Sequence, residues 1–406
     1  MAINLSRAQM RELLIGDAPE NLSCLALKIR LGQLRLAATL DPSLATLEAL
    51  VDSLGDFLTK NEAITVSDVK TLSRKAHGMN HVLYSVEDTC RLIQGKKPLL
   101  LAGAEQLLRQ LPKGDWIGGT IPYFMGDDGC ALDENRIFVT ELPPQAIGGS
   151  VKLYNLETIP QIANDAYVNG LSLLVLPAFS AIHEEYAKGA PGYEGMYLRP
   201  IAGWVAGTST SELGKVSPKV FFGPTGKISS EHAVALHIEL PPTCTANIDI
   251  VNLFTPGSGP DIEFSATSFE AGDCLIGGQR RNLAAYIDEE KIDTRLPLVA
   301  DLCGAVLNTS IAEINRKTKV VKFFAPVFKG IRYRVASQIG KYAEEFKLLM
   351  PQTADLAFSC NCILNYVYGE LEGKSLGNIR GPMTFGEVAY QLLNQTLVYV
   401  EIEEAA

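Results

Sequence analysis

From about residue 96 the chain is interrupted every few residues by glycine or proline, with short β-like apolar runs between the breaks. That spacing excludes a long-helix protein over this stretch. Helix interiors tolerate neither residue well, whereas tight turns between short strands need them. Candidate strands are 136–140, 151–154, 171–176, 219–222 and 233–239, and 156–169 reads as a helix between two of them. Short strands alternating with helices indicate layered α/β packing.

Pro241-Pro242 marks a break, because two prolines cannot continue a central strand. Beyond it lie strand candidates 247–254, 261–269, 320–324 and 331–335, a helix over 337–349, and strands 356–359 and 397–401. Several alternate apolar with polar residues, the pattern of antiparallel sheets with one covered face.

The segment 1–95 reads as helices. Asp41-Pro42 is a good cap and first-turn pair, followed by Leu44, Leu47, Val51, Leu54 and Leu58 at helical spacing. A second helix is expected to start at Ser67, run past His81 to Cys90 and stop at Gly95. The fold expected is α/β to α+β: layered α/β domains with mixed, largely antiparallel sheets, preceded by an N-terminal helical segment. The expected divisions are a helical segment at 1–95 and domains at 96–242 and 243–406.

With 47% apolar and 20% charged residues, 406 residues can build a sizeable core. A net charge of −10 repels phosphate backbones, so nucleic acid is a poor partner. The longest apolar run, near Leu171 to Phe179, falls far short of the ~20 residues that span a bilayer. Met1-Ala-Ile-Asn-Leu lacks a basic region leading into an apolar stretch, so no secretory signal or membrane association is expected. Eight scattered cysteines without a CxxC pair read as reduced thiols of a cytoplasmic protein. No metal site and no cofactor are indicated.

Some motifs fail on inspection. Gly369 to Ser375 has one residue too few for a phosphate loop, and Glu370 and Glu372 would face the phosphates. His77 and His81 share a helical spacing, but Gly78 stands where a zinc-protease helix needs Glu. His183, His232 and His237 are isolated. The last two fall in a strand-like run, where a neutral, packed imidazole is the default.

Others stay open. Cys360-Asn361-Cys362 ends an apolar run, where a strand opens into a loop. Either a thiol or amide faces a pocket there, or one cysteine packs inward and Asn361 caps the turn. Gly118-Gly119-Thr120, Gly203 to Ser209 (with Gly207 and Thr208) and Thr384-Phe385-Gly386-Glu387 are glycine turns. Each lets backbone approach a ligand, or is a plain turn.

Phe358-Ser-Cys360, Phe385-Gly-Glu387 and Asn394-Gln-Thr396-Leu-Val398 follow in that order, and this resembles the C-terminal domain of the FIST (F-box and intracellular signal transduction) family. Ile201-Ala-Gly203-Trp-Val-Ala-Gly207, Lys219 to Gly223 and Ile117-Gly-Gly-Thr120 are similar to its N-terminal domain. The family often carries a basic residue soon after its Ser-Cys step, and Asn361 to Tyr368 has none.

The resemblance implies a cytoplasmic, bacterial-type sensory protein that binds a small molecule, such as an amino acid or small acid, without transforming it. On that reading Cys360, Asn361, Thr384, Gly386, Glu387, Asn394 and Thr396 line the ligand site. Gly118, Gly119, Gly207 and Thr208 add backbone and hydroxyl groups. Glu387 would hold an ammonium, and the N-terminal helices would meet a signalling partner. The alternatives are a hydrolase or transferase using Cys360, or a partner-binding scaffold.

Overall fold

Leu99–Gly103 and Gly170–Pro177 are buried at every position, as unbroken apolar strands covered on both faces must be. Around them the computed structural model describes residues 81–404, apart from 127–128, 303–304, 341, 350–355 and 378. The result is a mixed α/β structure of several mostly antiparallel sheets with few helices. Among the described residues, no helix is long and apolar enough to cross a membrane.

The first sheet runs His81–Tyr84, Ile137–Thr140, Leu99–Gly103, Trp116–Thr120, Val220–Phe222, Lys227–Ser229. The second runs Gln391–Leu393, Glu387–Ala389, Ile201–Ala206, Gly170–Pro177, Ala233–Glu239, Gly148–Tyr154. The third runs Cys244–Val251, Leu397–Glu404, Phe358–Cys362, Gly381–Thr384, Tyr123–Gly126, Gly129–Leu132. A fourth six-stranded sheet and a three-stranded one are built from residues 262–335. One continuous apolar core reaches from Leu100 to Val400.

The second sheet contains the parallel pair Gly170–Pro177 and Ile201–Ala206, joined across the helix Ala181–Gly189. Parallel neighbours need such a crossover. Strands from both sides of residue 242 share two sheets: Glu387–Ala389 pairs with Ile201–Ala206, and Gly381–Thr384 with Tyr123–Gly126. The sheets therefore do not divide at 242/243. Pro241-Pro242 is only the turn between Ala233–Glu239 and Cys244–Val251.

Three expectations need correction. The helix expected from Ser67 to Cys90 is not continuous: His81–Tyr84 is a strand paired with Ile137–Thr140. Ser85 then N-caps a separate helix, Val86–Gln94, accepting a hydrogen bond from the Asp88 amide. The rest of that segment, with Asp41-Pro42 and His77, lies outside the described residues. The helix expected over 156–169 shrinks to a 3-10 turn, Ile159–Gln161, and Ile162–Asp165. The strand expected over 261–269 is split into Ile262–Glu263 and Ser268–Ala271, which join different sheets.

Candidate ligand site

The C-terminal motif residues do meet, but inside the protein. Thr384 ends one strand of the third sheet, Phe385-Gly386 carry the chain across, and Glu387 begins a strand of the second sheet opposite Trp204. Glu387 is fully buried. Its Oε2 accepts hydrogen bonds from the Thr396 amide at 3.2 Å and the Thr396 hydroxyl at 2.8 Å. Thr384 Oγ1 lies 3.4 Å from Oε1, and the Cys362 thiol also bonds the carboxyl group. Burial pushes the acid up to about 8, so at neutral pH it is held mostly as the uncharged carboxylic acid.

Its neighbours are buried with it. Cys360 Sγ donates to Gly203 O at 3.2 Å, and Asn361 Oδ1 accepts from the Cys362 amide at 2.8 Å and Asn365 Nδ2 at 2.9 Å. Burial pushes both cysteine thiols well above their ordinary range, so neither is an activated nucleophile. Asn394 is buried beside the cluster, with Nδ2 on Leu393 O and Oδ1 without a partner.

The glycines pack rather than turn. Gly118 and Gly119 lie within the strand Trp116–Thr120. A Cβ on Gly119 would come within 2.7 Å of both Trp204 and Val175, so this glycine lets the first and second sheets close together. A Cβ on Gly207 would lie 2.2 Å from the Phe385 ring. Thr208 is buried, with its hydroxyl on Ser209 O. The 369–375 loop is likewise structural: Gly373 N–H donates to Cys130 O, and Cys130 N–H to Lys374 O.

A second buried network escaped the sequence. Ser172 and His237 sit opposite each other on paired strands. Tyr154 Oη donates its single proton to Asp165 Oδ2 at 3.0 Å, and so accepts from His237 Nε2 at 2.8 Å. His237 Nδ1 then accepts from Ser172 Oγ at 2.7 Å, while Lys152 pairs with Asp165 at 2.6 Å. Burial lowers His237 to about 4, so it is neutral. Ser172 has no surface open to a substrate, and the chain ties three strands to one short helix. Only the strand register, joining residues 65 apart, brings the pair together.

The open site lies elsewhere. A cleft of about 1420 Å³ is lined by residues 155–157, 178–184, 213–218, 230–232, 268–270 and 312–324, with gaps. None of the motif residues above lines it. It opens where Gly170–Pro177 gives way to its crossover helix, the carboxyl end of a parallel strand, where α/β folds place ligands. There the chain turns sharply. Ala178 N–H donates to Ala206 O, Ser180 Oγ donates to Pro177 O at 2.7 Å, and Ser180 also caps the helix through the His183 amide.

Between those anchors Phe179 is forced to φ +62°, a left-handed conformation costing a large side chain about 1 kcal/mol. The residue is nevertheless 61% exposed, and its ring meets Phe385 edge-on at 6.2 Å. His183, 5% exposed, lines the cleft against Phe269, and its Nε2 has no hydrogen-bond partner. Burial lowers it to about 4, keeping it neutral.

The model of a family of unknown function, DUF6976, matches residues 84–403. The chain belongs to the DUF6976 family. No curated protein matches it. The DUF6976 match takes in the Glu387 cluster, the Ser172–His237 network and the whole cleft. Among the described residues of this DUF6976 chain, no group of three or more His, Cys, Asp or Glu is placed to hold a metal ion.

Proposed function

We propose that the chain is a small-molecule-binding, non-catalytic protein of the sensory kind that the FIST resemblance implies. Its ligand seats in the cleft against Phe179 and His183, and the Glu387 cluster is structural support. The observation that carries this reading is Phe179. A bulky apolar side chain held in a strained backbone conformation, with its ring turned to solvent, contributes little to the free protein. Strain kept at an open cleft is a signature of ligand contact.

A cysteine-dependent enzyme fits less well, since Cys360 and Cys362 are buried thiols that take no part in the cleft lining. The unpaired cysteines among the described residues suit a reducing, cytoplasmic setting. The partner-binding helices expected ahead of His81 lie outside the described residues.

A thermal-shift panel of amino acids, small acids, amines and nucleotides, run on wild type and Phe179→Ala, tests the assignment. A ligand that binds only the folded state raises the melting temperature by mass action. A selective rise of several degrees in wild type, lost in Phe179→Ala, is expected. No rise with any compound would move the reading to a partner-binding scaffold.

A further inference from the structure

The charge around the cleft narrows the chemistry of what it holds. Its lining contains Glu157, Glu184, Glu231, Glu270 and Glu313 against only Lys215 and Lys322. Glu184 is tied to Lys188, and Glu313 to Lys322 at 3.1 Å. Among the described residues, Glu157, Glu231 and Glu270 have no ion-pair partner. Acidic side chains alone would be an ordinary solvated rim, but two features of the floor point the same way.

The first is aromatic. Phe179 presents an exposed ring, and the neighbouring cleft ring, Phe269, already has the Lys188 ammonium 5.8 Å from its centroid. Ring faces attract cations through their quadrupole, most strongly where water is partly excluded. The second is His183. It is buried, lines the same floor, and its Nε2, itself enclosed, lacks a hydrogen-bond partner, so the ring carries unmet bonding capacity just beneath the cleft. Being uncharged, the imidazole does not repel a cation.

We propose that the cleft takes an organic cation: an ammonium on an apolar body, its charge among the unpaired glutamates and its body against Phe179. This rests on the reading of the cleft as the ligand site and replaces the small acid implied by the FIST resemblance. A carboxylate of the same size would enter a cleft with three more negative than positive side chains, and would be repelled.

Three probes of matched size separate the terms: 2-phenylethylammonium, 2-phenylethanol and phenylacetate, each titrated into the full chain by calorimetry or ligand-observed NMR at pH 7. The cation is expected to bind about tenfold more tightly than phenylacetate, with the alcohol between them, and to weaken as salt rises. Phe179→Ala is expected to weaken the cation about tenfold, and the triple variant Glu157→Gln, Glu231→Gln, Glu270→Gln to bring it level with the alcohol. All four positions lie at the cleft surface, and an unchanged melting temperature confirms that the variants fold. Phenylacetate binding as tightly as the cation, with both weakened by Phe179→Ala, would overturn the cation assignment and leave the cleft standing. Binding of all three that ignores Phe179→Ala, or binding of none, would overturn the cleft itself.

Discussion

The Glu387 cluster and the Phe179 cleft are both polar sites at the second sheet, and they differ in the respects that separate support from function. Around Glu387 the carboxyl group meets the donors it needs and no surface is open, so even the unpartnered Asn394 Oδ1 is sealed from any ligand. At the cleft a bulky residue is strained and exposed, and the buried His183 beneath it has an enclosed imidazole nitrogen without a partner. The two are joined by one side chain, Phe385, which touches Phe179 and Gly207 and sits two residues before Glu387. Polar residue types mark both places. Access joined to backbone strain marks only the second.

Three substitutions can break or sharpen that contrast. The largest effect is expected at Glu387→Ala, which leaves the Thr396 amide and hydroxyl without an acceptor and opens a cavity. A loss of about 4 kcal/mol in urea unfolding is expected. A loss below ~0.5 kcal/mol would show that water already reaches the cluster, and the contrast would collapse.

Close behind is the response to pH. In the unfolded chain Glu387 ionises near its ordinary 4.5, while in the folded chain it keeps its proton to about 8. The folded state binds the extra proton between those values. Stability is therefore full below about 4.5, falls as pH rises towards 8, and levels off above it. The decline is on the order of 4 kcal/mol between pH 4.5 and 8.5, and Glu387→Gln should remove it. Gln keeps an acceptor for Thr396 and presents its NH2 group to Thr384 Oγ1, whose own proton goes to Gly386 O or Asn361 O. Unfolding curves of both proteins between pH 4.5 and 8.5 make the comparison, and parallel curves would refute the buried acid.

The smallest effect is expected at Phe179→Gly. Relief of the left-handed strain, about 1 kcal/mol, offsets the lost edge contact with Phe385, leaving stability within ~0.5 kcal/mol of wild type. A loss above about 2 kcal/mol, well beyond what a surface substitution costs, would make Phe179 a structural residue and the two regions alike.

Much of the fold is legible in the sequence wherever an element rests on its own pattern. Ala233–Glu239 falls where its β-like apolar run and the flanking breaks put it, and the apolar run at 171–176 gains one residue at each end. Errors arise where a neighbour overrides local preference. His81–Tyr84 continues a helical spacing but is captured by the open edge of Ile137–Thr140. Pro160 and the polar Asn164 and Asn169 shorten the helix after Leu156.

For the site, the sequence groups Cys360, Asn361, Thr384, Glu387 and Thr396 because they are close along the chain. It does not show that the second and third sheets close over them. The cleft is drawn from six separated stretches with no motif between them. Its one local signal is Phe179-Ser180, an aromatic and a capping residue at the end of the longest apolar run.

The sharing of sheets across the length of the chain also shapes how the molecule is made. The strands Glu387–Ala389, Gln391–Leu393 and Leu397–Glu404 complete sheets whose other members, Tyr123–Gly126 and Gly148–Tyr154 among them, are synthesised long before. Until these late strands leave the ribosome, Ile201–Ala206 and Cys244–Val251 each present an unpaired edge, and the acid cluster has no acid. Such late, long-range pairing folds slowly and exposes strand edges to other chains meanwhile. Nascent chains stalled before Glu387 should accordingly be the aggregation-prone form, and release of the segment from Glu387 onward the step that retires the hazard.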